Sequence, residues 1–229
     1  MNQKCSILVC TVALFGIASP AWAGDILDRI VATVNNHAIL QSEWQDATRY
    51  EAFVSGRALD QLQASDRKAA LDRLIDQELL REQMRSSGFP HANSEEVEKR
   101  IQEIRKQYAG AESDAGWQAA LARYGLTEND LRRRVTLQGD LMGLVDARLR
   151  PSVVIDSKSI ESYYNQELLP QLQHSGAQQA PLAEVTPKIK ELLTQQKMNE
   201  MLVAWLQDLR SGSRISKETG SQESEGQLR

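Results

Sequence analysis

The feature that most constrains how this chain folds is a β-hairpin pattern, RIVATVNNHAIL, at residues 29–40. Residues 30–34 alternate with the two-residue period of a strand, and residues 37–40 are predicted to return as the second strand. Asn35-Asn36 can form the turn, because asparagine tolerates the left-handed backbone that such turns require. On local pattern alone, an ordinary α+β start is an equally good interpretation. A lone hairpin is only marginally stable in water, so it must pack against another part of the chain.

The segments after the hairpin carry helical patterns. Aromatic residues make up only 5% of the chain, and its many Leu, Glu, Gln and Arg residues favour helices. Each helix is predicted from an apolar stripe, a capping residue at its start and a Gly or Pro at its end. The first predicted helix covers residues 43–56 and is capped by Ser42 with Gln45, and the second, longer helix is capped by Ser65 and ended by Gly88. The third covers residues 94–108, and a short fourth helix around Trp117 is ended by Gly125. The fifth runs from Thr127 to Pro151, and a short sixth helix is capped by Asp156.

The start of the chain, a hairpin leading into a helix, resembles the start of the SurA-like periplasmic chaperones and related foldases. Four later stretches are similar to successive segments of that family, in the same order. The resemblance implies a mainly α fold: a helical chaperone module with a short N-terminal β-hairpin and a long C-terminal helix packing back on it. The four stretches are LDRLIDQELLREQMRSSGF (71–89), YGLTENDLRRRV (124–135), VVIDSKSIESYYNQEL (153–168) and PLAEVTPKIKELL (181–193).

Residues 1–23 have the pattern of a secretory signal peptide. Lys4 precedes an apolar run, and Ala21-Trp22-Ala23 gives the small-x-small motif that is cleaved ahead of Gly24. The apolar run is far shorter than the ~20 residues that span a bilayer, so we expect cleavage after Ala23 rather than stable membrane insertion. The sequence therefore predicts an exported, periplasmic protein.

The composition of the remaining chain excludes several classes of function. Cys5 and Cys10 both lie in the predicted signal peptide, so the mature chain is expected to have no thiol and no disulfide. The formal net charge of the full sequence is −4 with mixed signs, whereas nucleic-acid binding needs clustered positive surface. His37, His91 and His174 lack the spacing of metal ligands. We expect no nucleic-acid partner and no metal site.

No catalytic or cofactor motif is present in the sequence. It has no nucleophile elbow, phosphate-binding glycine loop or dinucleotide fingerprint, so we expect no cofactor and no catalytic residues. The run Arg132-Arg133-Arg134 fans around a helix, since neighbouring residues do not share a face, and is predicted to be solvated and salt-bridged. Met84, Met142, Met198 and Met201 are predicted to fill the core.

A break in the helical pattern divides the chain. Residues 169–180, LPQLQHSGAQQA, are Gln-rich without periodicity and are predicted to be a linker. The resemblance implies that many relatives carry a parvulin-type prolyl isomerase domain at this place, but a dozen residues cannot form a domain of at least ~50. We therefore expect a SurA-like N-terminal chaperone region at 24–168, a linker in place of the isomerase domain, a C-terminal helix completing the module at 181–216, and a disordered tail at 217–229.

The long C-terminal helix needs a partner for its apolar stripe. It can begin at Pro181 or at Thr186-Pro187, since proline is tolerated in a first turn, and Arg214-Ile215 can add a short strand to the hairpin. We expect it to pack on the helices of its own chain, or to exchange between two copies in a homodimer by helix swapping. The stripe consists of Ile189, Leu192, Leu193, Met198, Leu202, Trp205 and Leu209.

These features together predict a binding protein rather than an enzyme. The expected function is that of an ATP-independent periplasmic holdase, which binds unfolded envelope proteins in an apolar groove. The resemblance implies outer-membrane β-barrel proteins as clients, and Tyr50, Phe53, Trp117 and Tyr124 are the candidate client-binding residues. The alternatives are a non-catalytic adaptor in an envelope assembly or secretion complex, and a prolyl isomerase, which the missing domain disfavours.

Overall fold

The computed structural model describes residues 28–89, 93–176 and 178–218, and it confirms the mainly helical fold. The predicted signal peptide, His91 and residues 219–229 of the predicted tail lie outside the described residues. The strands are β1 (Ile30–Val34), β2 (His37–Leu40) and β3 (Ile215–Lys217). The helices are α1 (Gln41–Val54), α2 (Ala64–Ser87), α3 (Ser94–Arg105), α4 (Asp114–Ala122), α5 (Glu128–Leu149), α6 (Ser157–Tyr163), α7 (Leu169–Ser175) and α8 (Leu182–Ser211).

The predicted hairpin is confirmed, and the C-terminal strand completes it. β1 and β2 pair antiparallel around the Asn35-Asn36 turn, where Asn35 has a left-handed φ of 53°. β3 pairs antiparallel with the other edge of β1, which gives the strand order β2-β1-β3. The side chain of Asn35 also accepts the backbone N–H of Arg214 at 3.0 Å. The two ends of the described chain therefore meet in one sheet.

Two of the predicted helix caps are confirmed. The Thr127 hydroxyl accepts the N–H of Asp130 at 3.2 Å, and the Asp130 carboxylate accepts the N–H of Thr127 at 2.9 Å. The Asp156 carboxylate accepts the N–H of Ser159 at 2.7 Å. In both cases a side chain satisfies a backbone donor that has no partner within the helix.

Ser42 and Ser65 were wrongly predicted as caps, because α1 and α2 begin before them. In each helix an acidic side chain at the third position binds back to the N-cap residue: Glu43 accepts the N–H of Leu40 at 2.9 Å, and Asp66 accepts that of Gln63 at 2.8 Å. An acidic residue near the helix start also interacts favourably with the helix dipole. A serine cap is therefore not needed, and Ser42 instead donates its hydroxyl to the carboxylate of Asp28.

The predicted linker is wrong as a description of residues 169–175, which form α7. A π-helical turn at Tyr164–Leu168 carries the helix of α6 directly into α7, and Gly176, with a φ of 66°, ends it. Pro170 lies within this continuous helix, directly after the π-helical turn. The connection between α6 and α8 therefore begins with a helical extension that runs to Ser175.

Two clusters of buried side chains hold the N-terminal sheet and helices together. The hairpin core joins the sheet to α2, and Leu209 and Ile215 from the C-terminal end pack against it. The aromatic core joins α1, α3, α4 and α5. The hairpin core consists of Val31, Ala32, Val34, Ile39, Leu71, Ile75 and Leu79, and the aromatic core of Phe53, Val97, Ile101, Ile104, Ala111, Trp117, Ala120, Leu121, Leu126, Leu131 and Val135.

The long helix α8 packs back on its own chain, as predicted, against α2, α5 and α6. Arg210 fixes its end, because its Nε lies 2.6 Å from the carboxylate of Asp76. The predicted apolar stripe is only partly buried: Ile189 is 3% exposed, whereas Leu192 is 41% exposed. The stripe is wider than the surface that the three neighbouring helices cover. Exchange of α8 between two copies stays a prediction.

Candidate functional site

The structure brings the four candidate client-binding residues together at the end of α1. The Phe53 ring lies at the centre, with its centroid 5.4 Å from that of Tyr124 and 6.0 Å from that of Trp117. Tyr108, which sequence reasoning did not include in this group, stacks on Phe53 at 4.6 Å and donates its hydroxyl to the Phe53 carbonyl. Burial raises the pKa of Tyr108 above its ordinary value. The cluster is tightly packed.

Accessibility separates these four residues into two pairs. Phe53 and Trp117 are buried in the aromatic core, so neither can contact a client in this structure. Tyr50 and Tyr124 are half-buried and pack against the outside of the same core. Of the four candidate residues, Tyr50 and Tyr124 are therefore the two that a client can reach, and that role stays a prediction.

An open cleft lies beside the aromatic core, between α1, α2 and the first half of α5. Its volume is about 300 Å³, and we call it the groove. A smaller cavity of about 40 Å³ shares Glu43, Leu74, Gln77 and Arg81 with it and extends it to His37 of the hairpin. The groove is lined by the apolar residues Leu74, Leu126 and Leu137, by Gln77 and Gly125, and by the charged residues Glu43, Asp46, Arg81, Asp130, Arg133 and Arg134.

Most charges of the groove have a partner close by. Arg133 pairs with Asp130 in the first turn of α5, and Arg49 lies 3.1 Å from the carboxylate of Asp46. The guanidinium of Arg81 lies 2.6 Å from the carboxylate of Glu78, a residue of α2 whose side chain is buried. These charges are therefore compensated before any ligand binds.

Buried Glu78 is the charged group that links the groove to the hairpin. Besides Arg81, it accepts a hydrogen bond from Arg85 at 2.8 Å, and Nε2 of His37 lies 3.8 Å from its carboxylate. A buried carboxylate is tolerated when it is paired in this way. This cluster holds α2 against β2 and has a structural role.

Arg134 differs from the other charged residues of the groove. Its guanidinium carbon lies 5.3 Å from the centroid of the Tyr50 ring, the geometry of a cation–π contact. Within the described part of the chain it has no carboxylate at ion-pair distance and no hydrogen-bond partner. Burial lowers the pKa of Arg134, and burial raises that of Tyr50, an effect that the charge of Arg134 partly offsets. A partly desolvated cation thus faces the groove.

The prediction for the arginine run holds for two of its three members. Arg132 pairs with Glu98 at 2.8 Å and Arg133 with Asp130, as expected of a solvated helix surface. Each step along a helix turns the side chain by about 100°, and this places Arg134 against α1. The run itself does not indicate which arginine faces a cleft.

Metal binding and membrane insertion have no support among the described residues. Across residues 28–89, 93–176 and 178–218, no group of three His, Cys, Asp or Glu side chains is arranged to hold a metal ion. Over the same residues, no helix has both the length and the apolar character needed to cross a membrane.

Comparison with known proteins gives one family. A family model described as the SurA-like N-terminal domain matches residues 4–139, more than half of the chain. The match extends from before the hairpin into α5, so it includes Tyr50, Arg134 and the whole groove, while α6, α7 and α8 lie beyond it. A search among curated proteins gave no match.

Proposed function

The chain belongs to the SurA-like N-terminal domain family, and from that premise we propose that it is an ATP-independent periplasmic chaperone for unfolded envelope proteins. The family is of the chaperone type. In this proposal the clients are extended segments of unfolded proteins, among them outer-membrane β-barrel proteins, whose strands alternate apolar and polar residues. The protein holds them until assembly and then releases them.

The groove is the observation that carries this proposal. Its apolar floor can take an aliphatic or aromatic side chain, while the surrounding carboxylates and guanidinium groups can bind backbone N–H and C=O groups. A volume of about 300 Å³ lies at the lower end of ligand pockets, so it fits a short segment of a client rather than a folded surface.

The expected affinity is micromolar, about −8 kcal/mol. A short segment contributes few buried side chains, and ordering an unfolded client costs part of the energy gained. Weak binding suits a holdase, because the client must be released without a nucleotide to drive release.

We also propose that the chain is exported, with cleavage after Ala23, and that it has no prolyl isomerase activity. The second proposal rests on residues 169–180, which are too few for an isomerase domain. Intact-mass measurement of the exported protein tests the cleavage. A protease-coupled assay on a proline peptide tests the activity, and a rate clearly above background would refute its absence.

The central test is suppression of aggregation. An outer-membrane barrel protein is diluted from urea, and light scattering is followed with and without an excess of this protein. We expect the scattering to fall as this protein is added, with no ATP present. No suppression, together with tight binding to one folded envelope protein in a pull-down, would instead assign the chain as an adaptor.

A further inference from the structure

Among the described residues that line the groove, Arg134 is the cation without a carboxylate at ion-pair distance. Arg134 rests on the Tyr50 ring, with 5.3 Å between the guanidinium carbon and the ring centroid. It is half-buried, and in the described part of the chain no carboxylate lies within ion-pair distance of it. Arg134 can therefore bind an anionic group without giving up an existing salt bridge.

The neighbouring acidic residues do not fill this role. Asp46 is bound to Arg49 at 3.1 Å, and Asp130 is bound both to Arg133 and to the backbone N–H of Thr127. Both act on Arg134 only through longer-range attraction. Their charges are engaged locally, so they weaken but do not cancel the attraction of Arg134 for a ligand anion.

Apolar side chains also line the groove that Arg134 faces. Leu137 follows it on α5, and Leu74 of α2 and Leu126 before α5 complete the floor of the groove. A ligand that matches both features has an anionic group beside an aliphatic or aromatic side chain. In a polypeptide, that combination is a glutamate or aspartate flanked by apolar residues.

Resting on the proposed function, we propose that the groove selects client segments in which a carboxylate lies beside apolar side chains, with Arg134 binding the carboxylate. A guanidinium and a carboxylate can form paired, charge-assisted hydrogen bonds, which are stronger than neutral ones. A purely apolar segment would cover Arg134 without a partner, which carries a desolvation penalty. A lysine- or arginine-bearing segment would be repelled by it.

The test compares two fluorescent peptides that differ in one residue. Both are unstructured and of equal length, and one carries Leu-Glu-Leu where the other carries Leu-Gln-Leu. Binding to the purified protein is measured by fluorescence anisotropy at low salt. We expect the glutamate peptide to bind roughly tenfold more tightly, in line with a hydrogen bond to a charged group, and the difference to shrink as salt is added.

Variants of the arginine run locate the effect. Arg134→Gln should bring the two peptides to equal affinity, and Arg134→Lys should restore part of the preference. Arg132→Gln is the matched control, because Arg132 lies on the same helix but pairs with Glu98 outside the groove; it should keep the full preference. Circular dichroism checks that each variant is folded.

Two outcomes would overturn the proposal. Equal binding of both peptides by the unaltered protein would refute it even if every variant misfolded, and so would a preference that survives in folded Arg134→Gln. If aggregation of the barrel protein is still suppressed in either case, the chaperone function stands and only the carboxylate selection is wrong. If suppression is absent too, both proposals fail.

Discussion

The aromatic core and the groove share α1 and α5, but they differ in their access to solvent. In the aromatic core, Phe53 and Trp117 contact other rings and are closed to solvent. In the groove, aliphatic and charged side chains line an open cleft, and Arg134 has no ion-pair partner among the described residues. In this small helical module, the aromatic residues therefore serve mainly to pack the core. The surface left for a ligand is lined by leucines and by charged side chains of both signs.

The largest expected effect is on the aromatic core. Phe53→Ala should lower the free energy of unfolding by about 3–5 kcal/mol, because it leaves a cavity among the three rings and the helices that pack around Phe53. Urea denaturation followed by circular dichroism measures this. Phe53→Leu, which keeps most of the volume, should cost much less. A loss below about 1 kcal/mol for Phe53→Ala would mean that the core is not packed as described.

The next effect is on the groove. Leu137→Ala removes part of the apolar floor, so an unfolded client should bind about 1–2 kcal/mol more weakly, roughly 5–30-fold. Val203→Ala is the control, because Val203 is 57% exposed on the outer side of α8. Fluorescence anisotropy with a labelled unfolded client measures both variants. If Val203→Ala weakens binding and Leu137→Ala does not, the client lies on α8 instead.

A third prediction concerns the burial of the Tyr108 hydroxyl against the aromatic core. Burial raises the folded pKa of Tyr108 above its unfolded value of about 10. The contribution of the protonated Tyr108 hydroxyl to the free energy of unfolding is complete below pH ~10. It is lost as pH rises through the folded pKa, because the unfolded state releases the Tyr108 proton at a lower pH than the folded state does. Stability should therefore fall less steeply at alkaline pH in Tyr108→Phe than in the unaltered protein. Urea denaturation at a series of alkaline pH values measures this, and equal slopes would contradict it.

The smallest effect belongs to an exposed ion pair away from both regions. The hydrogen bond from Arg57, followed by that from the Gln63 backbone, lowers the pKa of Asp66 to about 2. The resulting stability is present above the unfolded pKa of about 4 and is lost as pH falls towards 2. In Asp66→Asn, stability should fall slightly less steeply as the pH is lowered through this range. The same is expected of Arg57→Gln. Thermal unfolding across this pH range measures the slope, and unchanged slopes in both variants would refute the pairing.

Local signals explain what the sequence predicted correctly. The hairpin, its Asn35-Asn36 turn and the caps at Thr127 and Asp156 depend on residues within a few positions of one another, and all are confirmed. The cap predictions at Ser42 and Ser65 failed because an acidic residue nearby supplies the same hydrogen bond. Several residue types can satisfy one backbone donor, so a helix start is known only to within a residue or two.

The groove could not be predicted, because it depends on how distant segments approach one another. Leu74 and Leu137 lie far apart in sequence, and only the packing of α2 beside α5 brings them together. The same packing decides that Arg134, and not Arg132 or Arg133, faces Tyr50. The sequence pattern proposed Tyr50 and Phe53 for the same role, but it did not include Tyr108 and did not distinguish the buried Phe53 from the half-buried Tyr50.

The most direct measurement of the central claim is photo-crosslinking of an unfolded client. A benzoylphenylalanine replaces Gln77, which lines the groove, or Asn199, which is exposed on α8. A urea-diluted outer-membrane barrel protein should crosslink at position 77, not at position 199, and should lose the crosslink once it is folded. Crosslinking at position 199 alone, or equally strong crosslinking of the folded protein at position 77, would contradict a groove that holds unfolded clients.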